Sequence, residues 1–411
     1  AATGRTSTLT LGVLSGTLTG LQFEGPGLGD ANLRNRILIT GRSAGAITGA
    51  THYDPLTLLT RAAVYSIAYG VGPLTSDANV DVLGGVIPTG SDAVSIIQAG
   101  SSGDITLSSD PTIIASLVQT ANQLGTVAMP GQTLRTDAVL LGSPNASLTI
   151  GTSPGSGTLT PKTSGGSLTL SNNYPGQLLT INAVIADNGT GSSLAKNGAG
   201  TVLLTAGATY TGATDVSGGT LALTGAGSLP DTSAVNLSGG TAVLHLSGIS
   251  ASSETIGSLT GVSGSSVMVG AKTLALNGVS PAPFAGVISG SGGGLTLLSG
   301  ATQELTGDNT FTGNVTIGAN ANLSVDEIQT SGAQPLGQGT TPIVMQGNIG
   351  TGSTLTYTGA GAGATNRGLS LTGGQGGTVN VTAGTLTVNG PLSGSANFHK
   401  QGAGTLIMSG G

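Results

Sequence analysis

A short block of residues recurs at even spacing along this chain. It reads KNGAGTVLLT from Lys196 and returns as KQGAGTLIM from Lys400, 204 residues later. Halfway between, 102 residues from each, a degenerate copy LSGATQELT begins at Leu298. Three evenly spaced copies indicate a repeat unit of about 102 residues. Repetition at a fixed period is the sequence signature of folds that stack similar units.

Around these blocks, short stretches alternate apolar residues with Thr or Ser and end at Gly-rich corners. Examples are residues 147–150 and 167–170. Alternation over four or five residues predicts a strand with one buried face, and Gly permits the sharp turns between strands. With 74 Gly in 411 residues and only 2% aromatic residues, the core must be thin and aliphatic. We therefore predict an all-β solenoid, with Leu203, Leu221 and Leu223 as candidates for its interior ladders.

The composition excludes several classes of protein. The chain has no Cys, which excludes disulfides, thiolate metal sites and a cysteine nucleophile. A net charge of -6 with only 11 basic residues argues against a nucleic-acid partner. No apolar run is long enough for a transmembrane segment. We expect no cofactor.

The repeat blocks extend into a longer pattern. After the Lys-x-Gly-Ala-Gly-Thr start comes an aromatic-Thr-Gly stretch and a Gly-Gly-Thr-Leu corner, nearly complete in residues 194–223, substituted in 295–325 and half present in 396–411. This pattern resembles the autotransporter-associated β-strand repeat of bacterial autotransporter passenger regions. The resemblance implies a right-handed parallel β-helix, secreted or displayed on the surface of a diderm (Gram-negative-type) bacterium. The motif positions are Lys196, Gly198, Gly200, Tyr210, Gly212, Gly218, Gly219, Phe311, Gly313, Lys400, Gly402 and Gly404.

The first third of the chain differs from the rest. Six of its seven Arg fall within residues 1–145. We predict that 1–145 is an irregular part of the solenoid with loops or a small insertion, and that 146–411 is regular. Within it, residues 54–69 are the least solenoid-like stretch. A compact polar and aromatic cluster at the start of this stretch is the candidate surface contact, and it consists of His52, Tyr53, Asp54 and Arg61.

Catalytic and metal-binding patterns are weak. The adjacent acids Asp326 and Glu327 fit a solvated turn better than a pair of catalytic carboxylates. His52, His245 and His399 are far apart and lack the spacing of a metal site, and strand alternation places His245 on the outer face. The sequence predicts no catalytic residues and no metal site.

These observations favour a non-enzymatic, extracellular structural or adhesive β-helix. Its partners would be further copies of itself, stacked end to end or laterally, or glycans of the cell or host surface. Exposed terminal rungs of a solenoid favour such stacking because their backbone groups are unpaired. Two alternatives stay open: a carbohydrate-binding or carbohydrate-active domain that uses the His52 cluster, and an inert stalk for another domain.

Overall fold

The computed structural model describes residues 105–119 and 124–410 in full, together with residues 86–87 and 89–90. For the other strands between residues 7 and 96 it describes the backbone and its pairing. Every regular element in this described part is a β-strand. It includes no helix of the length and apolarity that would cross a membrane.

The first ten strands lie between residues 7 and 96. They are β1 (Ser7–Leu14), β2 (Leu18–Thr19), β3 (Gln22–Glu24), β4 (Asn35–Arg42), β5 (Ile47–Thr48), β6 (Thr51–Tyr53), β7 (Thr60–Arg61), β8 (Val80–Val82), β9 (Val86–Ile87) and β10 (Ser91–Ile96).

The next strands form the middle of the chain. They are β11 (Ile105–Leu107), β12 (Thr112–Gln119), β13 (Leu124–Ala128), β14 (Thr133–Arg135), β15 (Ala138–Leu141), β16 (Ser147–Ile150), β17 (Thr158–Thr160), β18 (Ser167–Asn172), β19 (Leu178–Ile181), β20 (Val184–Ile185), β21 (Ser193–Asn197), β22 (Thr201–Leu204), β23 (Thr214–Val216), β24 (Thr220–Gly225), β25 (Ala234–Leu237), β26 (Val243–Ile249), β27 (Ser253–Ile256), β28 (Ser258–Gly261), β29 (Ser266–Met268), β30 (Thr273–Leu276) and β31 (Val287–Ser289).

The remaining strands complete the described chain. They are β32 (Gly294–Leu297), β33 (Thr302–Leu305), β34 (Val315–Ile317), β35 (Asn322–Val325), β36 (Ile343–Gly347), β37 (Ser353–Tyr357), β38 (Ala362–Thr365), β39 (Leu369–Gly373), β40 (Gly377–Val381), β41 (Thr385–Gly394), β42 (Phe398–Gln401) and β43 (Thr405–Gly410).

From β8 onward all pairings between these strands are parallel, and the strands stack in three columns. The first column holds β8, β10, β12, β15, β18, β21, β23, β25 and β28, and continues through Phe284 to β33, β35, β37, β40 and β42. The second holds β9, β11, β13, β16, β19, β22, β24, β26, β29 and β31. Further along the chain, β38, the first half of β41 and β43 occupy the same place in their turns and continue this column. The third holds β14, β17, β20, β27, β30, β32, β34, β36, β39 and the end of β41. The chain visits the columns in turn, so the predicted all-β parallel solenoid is confirmed, with about 13 turns.

Aliphatic side chains stack inside the solenoid in unbroken ladders. One ladder of the second column is fully buried, and consists of Leu148, Leu179, Val202, Leu221, Leu244, Val267 and Ile288. Burying each such side chain contributes about 1.5–3 kcal/mol relative to leaving it exposed. The core therefore accumulates turn by turn, and needs few aromatic residues.

The interior positions of β22 and β24 agree only in part with the sequence prediction. Leu221 and Leu223 are buried as predicted. The prediction for Leu203 is wrong, because Val202 and Leu204 point inward and Leu203 lies on the outer face. Val202 pairs with Leu221 across the rungs, and this register sets the inward positions in a run of consecutive apolar residues.

Turns of the solenoid differ in length. Leu194 pairs with Thr214, 20 residues on, whereas Leu323 pairs with Leu355, 32 residues on. The longer turn contains the connection 326–342 between β35 and β36. Because turns differ in length, equal sequence spacing does not place two residues on the same column.

Parallel pairing also occurs in the first third of the chain. There β1 pairs with β4, β2 with β5 and β3 with β6, all parallel, while β6 and β7 are antiparallel. Rung pairing runs across residue 145, since β13 pairs with β16 and β15 with β18. The division into 1–145 and 146–411 stays a prediction.

Candidate functional site

The first copy of the repeat forms a corner of the solenoid around a buried lysine. Lys196 is 0% exposed and occupies an inward position of β21, stacked between Leu170 and Val216. Its Nζ donates hydrogen bonds to the carbonyl oxygens of Asn197 (3.1 Å), Gly198 (2.5 Å) and Gly218 (2.7 Å). The first two carbonyls belong to its own corner and the third to the corner of the next rung. Lys196 therefore links two successive rungs.

The charge state of Lys196 follows from these contacts. Burial lowers the pKa of Lys196 from 10.5 to about 8, so the side chain is still an ammonium at neutral pH. An ammonium has three N–H donors and no acceptor, and each carbonyl accepts one of them. All three N–H donors of the ammonium therefore bond backbone carbonyls, and none is available to a ligand.

Glycines of the motif make this corner tight enough to stack. Gly198 has a φ of +80°, and a Cβ there would lie 2.4 Å from the carbonyl oxygen of Asn172 in the rung before. Gly219 has a φ of +59°, and a Cβ there would lie 2.5 Å from the carbonyl oxygen of Gly200. Other motif glycines face backbone atoms of a neighbouring rung as closely or nearly so, namely Gly212, Gly313, Gly402 and Gly404. Only Gly218 has ordinary clearance, with its nearest side-chain atom at 3.5 Å, and its role is to present a carbonyl to Lys196.

The other two copies differ from the first in the contacts made at the lysine position. In the third copy, the Nζ of Lys400 donates to the carbonyls of Gly402 and Gly404 in its own corner. In the second copy, the last inward position before the corner is Leu297, which stacks between Leu276 and Ile317. Leu298, which the sequence alignment placed opposite the lysine, is the next residue along and is only half-buried.

The copies do not lie on the same faces of the solenoid. The first and third copies run from the first column to the second, through β21 and β22 and through β42 and β43. The second copy runs from the third column to the first, through β32 and β33. The structural unit of the motif is therefore strand, corner and strand, and the spacing of about 102 residues is not a whole number of turns.

The aromatic position of the motif lies in the core. Tyr210 and Phe311 are 1% and 0% exposed. The hydroxyl of Tyr210 lies 2.5 Å from Oγ1 of Thr214, which in turn lies 2.8 Å from Oγ of Ser233. Burial raises the pKa of Tyr210 to about 12, so its hydroxyl stays protonated. This aromatic position serves packing and leaves no ring exposed to a ligand.

A buried glutamate next to this cluster was missed from the sequence. Glu254 is 3% exposed, and its Oε1 accepts a hydrogen bond from the backbone N–H of Leu229 (2.6 Å). Burial raises the pKa of Glu254 from 4.5 to about 7, and the charge of Asp231 adds to the shift. Strand alternation could have indicated this burial, because Glu254 lies two residues before the buried Ile256 on the same strand.

Arg367 is a second buried charge that sequence reasoning missed. It is 2% exposed and donates from Nε to the carbonyl of Thr341 (2.8 Å) and from a terminal nitrogen to the carbonyl of Leu336 (3.0 Å). Burial lowers the pKa of Arg367 to about 10. These bonds tie the long connection 326–342 to the solenoid. The one sequence feature that sets Arg367 apart is that it is the only arginine after residue 145.

The cluster predicted as a surface contact lies mostly where only the backbone is described. Antiparallel pairing of β6 with β7 places His52 opposite Arg61 and Tyr53 opposite Thr60. Asp54 lies outside the described residues. The backbone thus brings three of the four predicted residues to one short hairpin, and their role as a contact surface stays a prediction.

Other residues considered for chemistry lie on the surface. His245 lies on the outer face as predicted, with its Nε2 2.6 Å from Oγ of Ser247, and His399 is exposed. Asp326 and Glu327 are both exposed. Among the fully described residues, no three His, Asp or Glu side chains are grouped so as to hold a metal ion. The stretch GRSAG at 41–45 has the spacing of a serine nucleophile elbow; it begins in β4, and its serine lies outside the described residues.

The chain is similar to a family of passenger-associated repeats and to part of an autotransporter adhesin. The passenger-associated-transport-repeat family matches it at residues 194–223, 292–319 and 398–411, the three places where the sequence predicted repeat copies. The adhesin BmaC autotransporter of Brucella suis biovar 1 (strain 1330) is 34% identical to it over 145 residues. That alignment covers 34% of this chain and only 4% of the relative, so the chain spans a small part of that protein's length. No solved structure matches the chain significantly. The repeats, the fold and the similarity to an autotransporter adhesin support an autotransporter passenger with repeats, and they indicate that it is secreted or at the cell surface of a Gram-negative bacterium.

Proposed function

We propose that this chain is a non-enzymatic structural and adhesive segment, which spaces and displays a binding surface at the bacterial exterior. The observation that carries the proposal is the use made of the buried ionisable groups. Lys196, Glu254 and Arg367 have shifted pKa values, as catalytic groups often do, yet each binds backbone atoms of the rod. The hydrogen bonds of these three groups therefore connect parts of the solenoid to one another. The similarity to a protein named as an adhesin supports the adhesive part of the proposal.

Adhesion is tested with the purified chain coupled to fluorescent beads. We expect the beads to bind cultured epithelial cells at least tenfold more than beads carrying the heat-unfolded chain, and free chain to compete. Binding no better than that control would contradict adhesion and favour an inert stalk. The non-enzymatic part is tested separately with a panel of chromogenic esters and polysaccharides. Turnover that disappears in Ser43→Ala, within the GRSAG stretch, would contradict it.

The finer part of the proposal is that copies of the chain associate end to end. What supports this is the parallel pairing of each rung with the next, because the backbone groups of one rung match those of a rung stacked on it, whether that rung belongs to the same copy or to another. We expect fibres in negative-stain micrographs of concentrated chain. A monodisperse monomer at high concentration would overturn this part while leaving adhesion standing.

A further inference from the structure

A shallow groove lies on the outer surface of the third column and spans four successive rungs. Its volume is about 360 Å³, and it follows the turns that contain β32, β34, β36 and β39. Three rung spacings correspond to roughly 14 Å along the solenoid axis. The polar side chains at its walls are Thr296, Ser299, Gln346, Asn348 and Thr372.

The groove exists because one outward position lacks a side chain. In the register of these strands, Leu298, Gly318, Gln346 and Thr372 form one outward row. Gly318 leaves a gap in that row, and a Cβ there would lie 2.7 Å from the carbonyl oxygen of Leu297. The backbone of the rung below therefore keeps this position empty, so the concavity is a fixed feature of the solenoid.

The polar groups of the groove are available to a ligand. Elsewhere on the surface, some polar side chains bond one another between rungs. Asn236, for example, donates to Asp215 (2.8 Å) and accepts from Thr260 (2.9 Å). Within the described part of the chain, the side chains of Thr296, Gln346, Asn348 and Thr372 have no such partners. They present hydroxyl and amide groups that both donate and accept.

Apolar surface borders these polar groups. Leu298 lies at one end of the groove, and Ile349, which is 99% exposed, directly follows the lining residue Asn348 in the chain. A hydrogen bond from the N–H of Asn348 to the carbonyl of Thr351 (2.7 Å) closes the tight turn that holds Ile349 outward. The groove thus offers neutral hydrogen-bonding groups flanked by aliphatic surface.

The chemistry of the lining selects the class of ligand. The groove is lined by no charged side chain, so a phosphate, a metal ion or an acidic chain would find no counter-charge there. An extended peptide that binds by adding a strand would need an unpaired strand edge. Here β34 and β36 each pair with a strand on both sides. Recognition must therefore use outward side chains alone.

We propose that this groove binds a neutral oligosaccharide, whose hydroxyl groups would hydrogen-bond to Gln346, Asn348 and Thr372 and whose C–H faces would contact Leu298 and Ile349. The inference rests on the proposed adhesive function and names its ligand class. Because the groove is open and has no aromatic platform, a single site binds weakly. Many copies on one surface raise the overall binding by multivalency.

The test uses beads carrying the full chain on an array of neutral, sialylated and sulfated oligosaccharides. We expect binding to neutral members, reduced at least tenfold by the double substitution Gln346→Leu with Thr372→Val. The matched control is Gln338→Leu with Thr378→Val, which removes the same groups outside the groove and should leave binding unchanged. Hydrogen exchange of both variants checks that the solenoid stays folded.

Three outcomes would overturn the inference: binding confined to the anionic members, binding that both variants retain equally, or no binding to any member. The cell-binding assay, run on the same beads, separates this result from the wider proposal. If the groove variant still binds cells as the wild type does, adhesion stands and the groove is not its site.

Discussion

Replacing Lys196 with Met tests whether the lysine of the repeat holds successive rungs together. Met keeps the length and apolar stem of the side chain, so packing between Leu170 and Val216 is preserved. What is lost is the set of three hydrogen bonds to the carbonyls of Asn197, Gly198 and Gly218. The variant therefore isolates the polar contribution of the side chain from its packing.

The expected magnitude follows from two opposing effects. Hydrogen bonds to a charged donor contribute about 1.5–3 kcal/mol each, so three contribute at least about 4.5 kcal/mol. Burying the ammonium opposes this, and the fall in the pKa of Lys196 from 10.5 to about 8 corresponds to about 3 kcal/mol. We expect Lys196→Met to destabilise the local rungs by about 1–2 kcal/mol.

Hydrogen exchange measured by mass spectrometry suits this prediction, because long repeat arrays do not unfold in a single two-state step. Peptides from residues 196–223 should exchange about 5–30 times faster in the variant at neutral pH. Peptides from β39 and β40 should not change. Lys400→Met is the control, because Lys400 is exposed and binds only carbonyls of its own corner, so residues 196–223 should exchange as in the wild type.

The pH dependence gives a second check on the same variant. Because the folded-state pKa of Lys196 is lowered, the unfolded chain holds that proton more tightly between about pH 8 and 10.5. The wild type therefore gains local stability as the pH rises through this window, and Lys196→Met does not. Equal or slower exchange in the variant at neutral pH, or a loss of protection spread evenly over all turns, would refute the reasoning.

Three further predictions concern other parts of the solenoid. Gly219→Ala should lower the local stability of its rungs by about 2–4 kcal/mol in hydrogen exchange, because it adds left-handed strain and a backbone overlap. Gly218→Ala has room and should change the exchange little, so equal effects of the two substitutions would contradict the stacking argument. Glu254→Gln should stabilise the local rungs in hydrogen exchange by up to about 3 kcal/mol at pH 8 and not at all below pH 4.5, because the raised pKa of Glu254 makes the wild type lose stability as the pH rises from 4.5 to about 7. A difference between variant and wild type that does not vary with pH would count against this. Arg367→Lys should speed limited proteolysis within 326–342 about tenfold, because the hydrogen bonds from the guanidinium to the carbonyls of Thr341 and Leu336 are lost. Unchanged cleavage would show that Arg367 does not anchor that connection.

Much of the fold could be predicted from local pattern. Alternation in stretches such as β16 and β18 identifies strands, and Gly-rich corners identify the turns, because both depend only on neighbouring residues. The three repeat copies were located from the sequence at the places where the family match falls. Leu203 could not be assigned in the same way, because consecutive apolar residues in β22 fit either phase of the alternation.

The buried charges show a different limit of sequence reasoning. A lysine in a strand is normally read as solvent-facing, since isolated charges are costly to bury. Lys196 points inward because carbonyls from two successive corners converge at one point, one of them that of Gly218, 22 residues further along the chain. Nothing in the residues adjacent to Lys196 shows that convergence.

The sequence by itself determined that this chain stacks short aliphatic strands with tight glycine corners, because strand, turn and repeat are encoded within a few residues. Tertiary structure alone decided which rungs meet. Turns of unequal length rotate the second repeat copy to other columns, bring Arg367 to the connection 326–342, and place Gly318 between Leu298 and Gln346 to open the groove. Those arrangements depend on the summed length of whole turns, a property that no local pattern carries.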